Sequence, residues 1–483
     1  MSEINLKNAN PIEVADELIY KMPRIIISKE MLYFYNGKHY EVLDDFIIGQ
    51  HIFNMYVNNN PDKWTPHRSN AIIVALKYHP SIKRVEEMDD YDDYVNLNNC
   101  ILKFSDRSTQ PHSPDFYFTA CVSVDYDNSN ITAPFFTSLI NGIFTNPDDT
   151  IDHDTVRNII RIGGYLIYPK IKIHKMFIFF GTGSNGKSII IEHIYKKFFD
   201  KKFMSSMSLN ALSKEDNAAR KQLLTARVNF ATEQKASSDI ESDELKKIIN
   251  GEDISIRRMY QDTITHAPKC KIMVAENRFA RFKDTSEGTR RRLFMINFPN
   301  RFEKDPVKYK KIKNPGQYRV FPALYEEDII KNLNNELPAI LNIFLDGLEE
   351  LRKNHWNIIE SKNSEDIFNE YIKESDYVGS WLEENFEKDD NEKESLSVKE
   401  VLNKYREWWL YHFPEKKFDM STKLLGRRIK ELFRIDSHQL VVRIGEDNIT
   451  TTSVYYLKTK IDETWELIHN SQQQESDPQQ MSF

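Results

Sequence analysis

Hydrophobic and polar positions divide the chain into stretches of different period. Residues 1–150 mix short β-like runs such as MLYFYNGKHYEVL with helical patterns such as FIIGQHIFNMYVNN, and turn clusters follow at Asn58-Asn59-Asn60-Pro61 and between Pro111 and Pro114. This predicts a separate amino-terminal domain, either α+β or mainly helical, and α-rich in balance. From Val156 to about Glu303 apolar strands alternate with helical patterns, which predicts an α/β sheet. Met176-Phe177-Ile178-Phe179-Phe180 is a continuous apolar run, as a buried strand requires. The SIIIEHIYKKFF beyond the next loop places Ile190, Ile191, Ile194, Tyr195 and Phe198 at helical spacing. Residues 325–355 keep apolar positions at helical spacing, from Ile329 and Leu333 to Leu348 and Leu351, and predict a helical lid that closes an α/β core over 151–360. The charged run EENFEKDDNEKE (383–394) predicts a solvated linker within 361–395. Within 396–466 two helical segments, the second opened by Ser421, precede a hairpin pattern with its turn near Gly445. Helix, helix and two-stranded wing predict a winged helix. The polar tail, 467–483, predicts disorder.

Composition narrows the chemistry. A chain of 483 residues implies two to four domains, and 40% apolar residues suffice for their cores. A net charge of −7 excludes a surface that binds polyanions everywhere, so any nucleic-acid contact must be a local patch. One such patch is expected between Lys423 and Arg443, where Lys423, Arg427, Arg428, Lys430, Arg434 and Arg443 face only Glu431 and Asp436. Cys100, Cys121 and Cys270 are scattered, which argues against a zinc ribbon or disulfide framework and fits a reducing cytoplasm. The start has no apolar signal core, and Val156 to Phe180 carries Arg157, Arg161, Lys170, Lys172, His174 and Lys175, so neither secretion nor membrane insertion is expected.

The strongest motif is GTGSNGKS: Gly181, Thr182, Gly183, Ser184, Asn185, Gly186, Lys187 and Ser188. It is a complete G-x-x-x-x-G-K-[ST] phosphate loop between a strand and a helix. Glycines let backbone N–H groups turn toward phosphates. Lys187 brings a charge to the β/γ-phosphates, and Ser188 offers its hydroxyl to Mg²⁺. The expected cofactors are ATP and Mg²⁺. Arg227 to Glu233 reads as a short strand ending in a carboxylate, with Glu233 placed to polarise the attacking water or to hold Mg²⁺. Lys271 to Ala275 reads as a second strand, after which Asn277 can hold the water and sense the γ-phosphate. Arg290-Arg291-Arg292 precede another strand; Arg291 or Arg292 fits an arginine finger that completes a neighbouring subunit's site. Between these landmarks, Leu245 to Tyr260 alternates apolar and polar positions and predicts a β-hairpin.

In this order, VNLNNCILKF with PHSPDFYFT, RIGGYLIYPKIKIHKMFIFFGTGSNGKS, ELKKIINGEDISIRRMY, IMVAEN and TRRRLFMINF resemble segments of the superfamily 3 helicases. The likeness is to the phage and plasmid primase–helicase family, which includes poxvirus primase–helicases and replication initiators of pathogenicity islands. It implies an AAA+ type core, a homo-hexameric ring and translocation on single-stranded DNA. It also implies a hairpin in the central channel that grips the DNA backbone. On the residues of this chain, the expected grip uses Arg257 and Arg258, with Lys246 or Lys247 and with Met259 and Tyr260 as further contacts. Met259 and Tyr260 stand where many relatives carry a lysine–histidine tip, and Thr232 where others carry a second acid. Expected partners are single- and double-stranded origin DNA and host replication proteins. The competing readings are an ATP-switched origin-binding protein that recruits a host helicase, and a kinase; strand displacement and DNA-stimulated hydrolysis separate them.

Overall fold

Five apolar runs form one parallel sheet: β1 (Met176–Phe180), β2 (Met204–Ser205), β3 (Val228–Ala231), β4 (Lys271–Glu276) and β5 (Leu293–Asn297). Their spatial order is β5-β1-β4-β3-β2. In β1, β3 and β5 nearly every residue is buried, because both faces of the sheet are covered. The chain leaves β1 for the far edge at β2, returns through β3 to β4 beside β1, and then crosses to β5 on the other flank. That reversal puts a topological switch point at the carboxyl end of β1, where open α/β sheets leave a crevice. The computed structural model describes residues 9–460 apart from 23, 60, 130–131, 182, 216–217, 232–239, 242, 258–262, 278–281, 283–286, 306, 308–319, 376, 391–392, 413, 415–417, 419 and 445–447. The tail 467–483 lies outside the described residues.

Two helices pack tightly beside this sheet. Helix α1 (His153–Ile167) opens where the Asp152 carboxylate accepts from the Thr155 N–H. α2 (Asp243–Asn250) precedes β4, and α3 (Glu326–Lys353) is the helix expected over 325–355, 28 residues long, with Ile329, Leu333, Leu348 and Leu351 buried. α1 and α3 approach through glycines. A Cβ on Gly164 would lie 2.1 Å from the Phe344 carbonyl oxygen and 2.8 Å from the Leu348 nitrogen, both backbone atoms that cannot step aside. Gly164→Ala is therefore expected to destabilise the fold by about 2 kcal/mol, because overpacking outweighs the helix propensity gained. Gly142→Ala, in a helix where an added Cβ meets nothing within 4 Å, is the control and should be neutral or slightly stabilising. Urea midpoints of the two variants check the pair.

The amino-terminal part takes the α+β form of the two expected and corrects one other expectation. It is mixed, not mainly helical. Helices Pro11–Lys21, Asp45–Asn59 and Pro66–Lys77 share a core with a four-stranded sheet (Ile25–Ser28, Met31–Tyr35, Tyr40–Val42, Lys83–Arg84), and a three-stranded sheet follows over 94–110. Nor does a boundary fall near residue 150, because residues 1–368 form one compact unit. Val95, Leu102, Phe136 and Ile143 belong to the same apolar core as Phe177 and Phe294 of the large sheet.

A buried charge cluster fastens the amino-terminal segment to the roots of β3 and β4. Asp89 is 2% exposed and pairs with Arg227 at 2.6 Å, while Thr119 donates to it through its N–H (2.7 Å) and hydroxyl (2.6 Å). Lys269 stands 3.8 Å from the same carboxylate and donates to the Met88 carbonyl; Lys271 donates to the Tyr168 carbonyl. His266 lies against this cluster, and burial, reinforced by Lys29, Lys269 and Arg227, holds its pKa down at about 4. Burial and Lys202 hold His39 at about 4 as well. Both rings are neutral when folded but titrate near 6.5 in the unfolded chain. As pH falls from 6.5 toward 4 the unfolded chain takes up protons that the folded chain refuses, so stability drops, by about 2 kcal/mol for each ring. Thermal midpoints should decline from pH 6.5 to 4. A level profile over that window contradicts the buried neutral state.

Residues 369–483 form the second unit. It contains α4 (Tyr377–Asn385), α5 (Val398–His412), α6 (Thr422–Phe433) and the antiparallel strands β6 (His438–Ile444) and β7 (Asn448–Tyr455), with strand Leu396–Ser397 on the free side of β7. Ser421 caps α6 as expected, accepting from the Leu424 N–H. Trp381, Tyr405, Leu425, Ile429 and Leu457 make its core. The segment 361–395, expected as a linker, is largely ordered structure. Lys362–Ser375 and α4 are helical, and Phe386–Lys388 pairs antiparallel with Leu457–Thr459. The reason is apolar and polar burial inside the acidic run: Phe386 is 1% exposed, and the buried Asp389 carboxylate accepts from the N–H groups of Lys393 and Glu394 at 2.7 Å each. No helix among the described residues is long and apolar enough to cross a membrane.

Candidate nucleotide-binding site

The loop Gly181–Ser188 leaves the carboxyl end of β1 at the switch point. Two of its glycines are required by space. A Cβ on Gly181, at φ +154°, would meet the Asn185 amide at 2.0 Å, and one on Gly186, at φ +93°, would meet Ile143 at 2.7 Å. Backbone bonds fix the loop from below and from the side. Gly181 N–H donates to the Glu276 carbonyl (3.1 Å), Phe298 N–H to Phe180 (2.8 Å), and Phe302 N–H to Ser184 (2.7 Å).

Lys187 is 6% exposed. Its ammonium donates to the Gly181 carbonyl (2.5 Å), to Asn277 Oδ1 (2.8 Å) and to Asn185 Oδ1 (3.3 Å). It thus joins the carboxyl ends of two adjacent strands, β1 and β4. A buried ammonium facing a glycine-lined turn suits an anion that brings several oxygens, such as a phosphate chain. Ser188 is exposed at the start of the following helical turns, which run through Ile189–Ile194 and Tyr195–Phe198.

Two residues in this frame, Asn300 and Ile143, are not apparent from the motif, and neither is the tie that Asn185 makes. Asn185 donates from its side chain to the Phe298 carbonyl (3.4 Å), tying the loop to the strand end of β5. Asn300, 3% exposed, donates to the carbonyls of Gly142 (3.5 Å), Ile143 (3.0 Å) and Thr145 (2.8 Å). It closes helix Pro134–Ile143 and so presents Ile143 to Gly186. An asparagine three residues beyond a strand is a faint signal, and Ile143 gives none, since the contact spans more than forty residues of sequence.

Of the other expected residues, Thr182, Glu233, Arg258, Met259 and Tyr260 lie outside the described residues. The hairpin exists but begins later than expected: Ile254–Ile256 pairs antiparallel with Ile264–His266, and Arg257 is exposed at the outer end of the first strand. Lys246 and Lys247 are not on it. They sit on α2, where Lys246 pairs with Asp243 (3.5 Å) and Lys247 with Glu244 (2.5 Å). The arginine cluster separates by burial. Arg292 donates to Asn250 Oδ1 (3.1 Å) and to the Gly288 carbonyl, and burial with Arg291 beside it lowers its pKa. Arg290 ends the short helix Glu287–Arg290, and Arg291 is exposed. In the second unit Lys423, Arg427 and Lys430 are exposed on α6. Lys430 pairs with Asp436, and Arg428 with Glu431 at 3.4 Å, so part of that positive charge is neutralised within the unit.

Comparison with known proteins adds independent findings. The family model described as D5 N terminal like matches residues 27–145, and a family of unknown function, DUF5906, matches residues 179–292. A helicase-named protein, L207/L206 of Acanthamoeba polyphaga mimivirus, is 24% identical over 427 residues, 85% of this chain and 41% of its own length. Another, 121R of Invertebrate iridescent virus 3, is 20% identical over 302 residues, 56% of this chain and 32% of its own. The chain is therefore similar to viral proteins named as helicases and carries a D5 N terminal like segment. It spans less than half the length of either relative. Among solved structures it is similar to the apo NrS-1 C-terminal region, with a TM-score of 0.48, 12% identity and coverage of 93% of this chain and 100% of the other.

Proposed function

We propose that the chain is an ATP-driven DNA helicase of the superfamily 3 type that acts at the start of replication as a ring of identical subunits. The observation that carries this reading is the buried Lys187 ammonium bridging the phosphate loop and Asn277 across two neighbouring parallel strands. The residues present fit ATP with Mg²⁺. Gly181–Ser188 would cradle the phosphates, Ser188 and Glu233 would hold the ion, and the ion supplies charge neutralisation to the phosphate oxygens. Lys187 steadies the same charge, while Asn277 orients water. Arg291, exposed where Arg292 is tied inward, is the finger that reaches the adjacent subunit's nucleotide. The hairpin 254–266 carries Arg257 to the strand that is pulled. The second unit, in which helices α5 and α6 are followed by the antiparallel pair β6 and β7, is an AAA+ companion of winged-helix type. Its α6 lays Lys423, Arg427, Arg428 and Lys430 against origin duplex, which gives the ring a place to load.

The test is forked-duplex unwinding and DNA-stimulated ATP hydrolysis by the purified chain, with particle mass measured alongside. Arg291→Ala is expected to reduce turnover by about 100-fold or more with ATP still bound. Mixing it with Lys187→Ala subunits should restore part of the activity, since some interfaces then hold an intact loop and an intact finger. ATP-dependent origin binding without strand displacement would favour the origin marker instead. Absence of hydrolysis and displacement together would reject both.

A further inference from the structure

The groove between helices Asp45–Asn59 and Pro66–Lys77 is bordered by a row of rings and amides for which the site above has no use. Its volume is about 720 Å³, within the range of ligand-sized clefts. On the first helix Phe46, Gln50, Phe53 and Asn54 recur at helical spacing on one side, and Trp64 and Asn70 face them across the cleft. Phe46 is 70% exposed and Phe53 is 43% exposed, and Phe53 meets Trp64 edge-on at 5.1 Å. The Trp64 indole Nε1 is shielded from solvent yet has no hydrogen-bond partner among the described residues. Asp45, the one carboxylate on the rim, is engaged by Lys77 at 2.8 Å.

From this we infer that the groove is a stacking site for unpaired nucleobases, holding the single strand outside the ATPase core. A base offers a flat face for Phe46 or Phe53 and an edge with both donors and acceptors for Gln50, Asn54, Asn70 and the Trp64 N–H. A helical peptide would instead want a continuous apolar stripe, and here amides interrupt the rings at every turn. Among the described residues no lysine or arginine lines the groove, His51 being its one basic side chain and Lys77 on the rim being engaged by Asp45, so the contact is chiefly to bases and salt should affect it little. The inference rests on the helicase reading for its source of single strands, and it assigns that reading a base-dependent contact in the 27–145 region.

The experiment compares a fluorescent oligo(dT) with an abasic strand of equal length, without nucleotide, for wild type and for Phe46→Ala/Phe53→Ala. Wild type should prefer the base-bearing strand by about 10-fold. The exposed rings carry no core, so the double variant should fold normally. It should lose the preference while keeping its affinity for the abasic strand and its DNA-independent ATP turnover. Trp64→Phe, which keeps an aromatic face and removes the N–H, should lose part of it. Equal binding of the two strands by wild type, or a preference that survives in the double variant, overturns the groove and leaves the helicase reading intact. Self-association lost on Phe46→Ala/Phe53→Ala with base preference unchanged would assign the surface to a protein contact and overturn it too. Binding of neither strand rejects both readings.

Discussion

Lys187→Ala is expected to lower ATP turnover by at least about 100-fold while leaving the protein folded. The two halves of this expectation come from different terms. Removing a preorganised positive group from the place where phosphate charge develops costs catalysis about 3 kcal/mol or more. Stability has opposing contributions at the same atom. The ammonium is buried, and its desolvation is offset by oxygens of Gly181, Asn185 and Asn277. Truncation removes the charge and its desolvation together, leaving acceptors that lose a donor, so the net change should stay within about 1 kcal/mol. Lys187→Arg should not rescue, because a planar fork cannot occupy a space shaped for a compact ammonium. ATP turnover, ATP affinity and the thermal midpoint, measured together, check all three statements. A variant with more than a tenth of wild-type turnover would remove Lys187 from the site.

How far such a site can be read from residues depends on whether its parts are local. The turn between strand and helical segment at 181–188 was legible because a run of five apolar residues, three glycines in eight positions and an apolar-periodic segment are adjacent in sequence. The long helix after it was legible for the same reason, its buried positions recurring over 28 residues. α2 shows a signal misjudged. Leu245, Ile248 and Ile249 fall at i, i+3 and i+4, with Asp243 and Glu244 in the first turn, and this outweighs the alternation that suggested a strand. The acidic run near Asp389 was unreadable in another way, since its strand exists through a partner about seventy residues on. Likewise the sheet order, the clamp by Asn300 and the different fates of Arg291 and Arg292 are tertiary facts. They follow from which carbonyl or amide lies within reach, and periodicity carries no record of that.

Asp89→Asn is expected to destabilise the 1–368 unit by about 3–5 kcal/mol, the cost of stranding buried charge. Arg227 begins the lead into β3 and Lys271 begins β4; both are buried, and Lys269 lies beside them. Burial alone would raise the Asp89 carboxyl, but Arg227, Lys269 and the two bonds from Thr119 hold it below the usual carboxylate range. Lys271 feels the reverse: burial, with Arg227 nearby, brings its pKa down to about 7. The cluster therefore already carries more positive charge than it can settle, and Asp89 is the group that makes it tolerable. Asparagine keeps the shape but has one acceptor oxygen where Asp89 uses two, so it removes the charge together with one acceptor. Because the loss is electrostatic, adding Arg227→Met should recover much of it, and the double variant should be more stable than the sum of the single effects by about 2 kcal/mol. Urea midpoints of wild type, both single variants and the double variant complete the cycle. A single variant within about 1 kcal/mol of wild type would mean that the amino-terminal segment is held to the sheet by its apolar contacts alone.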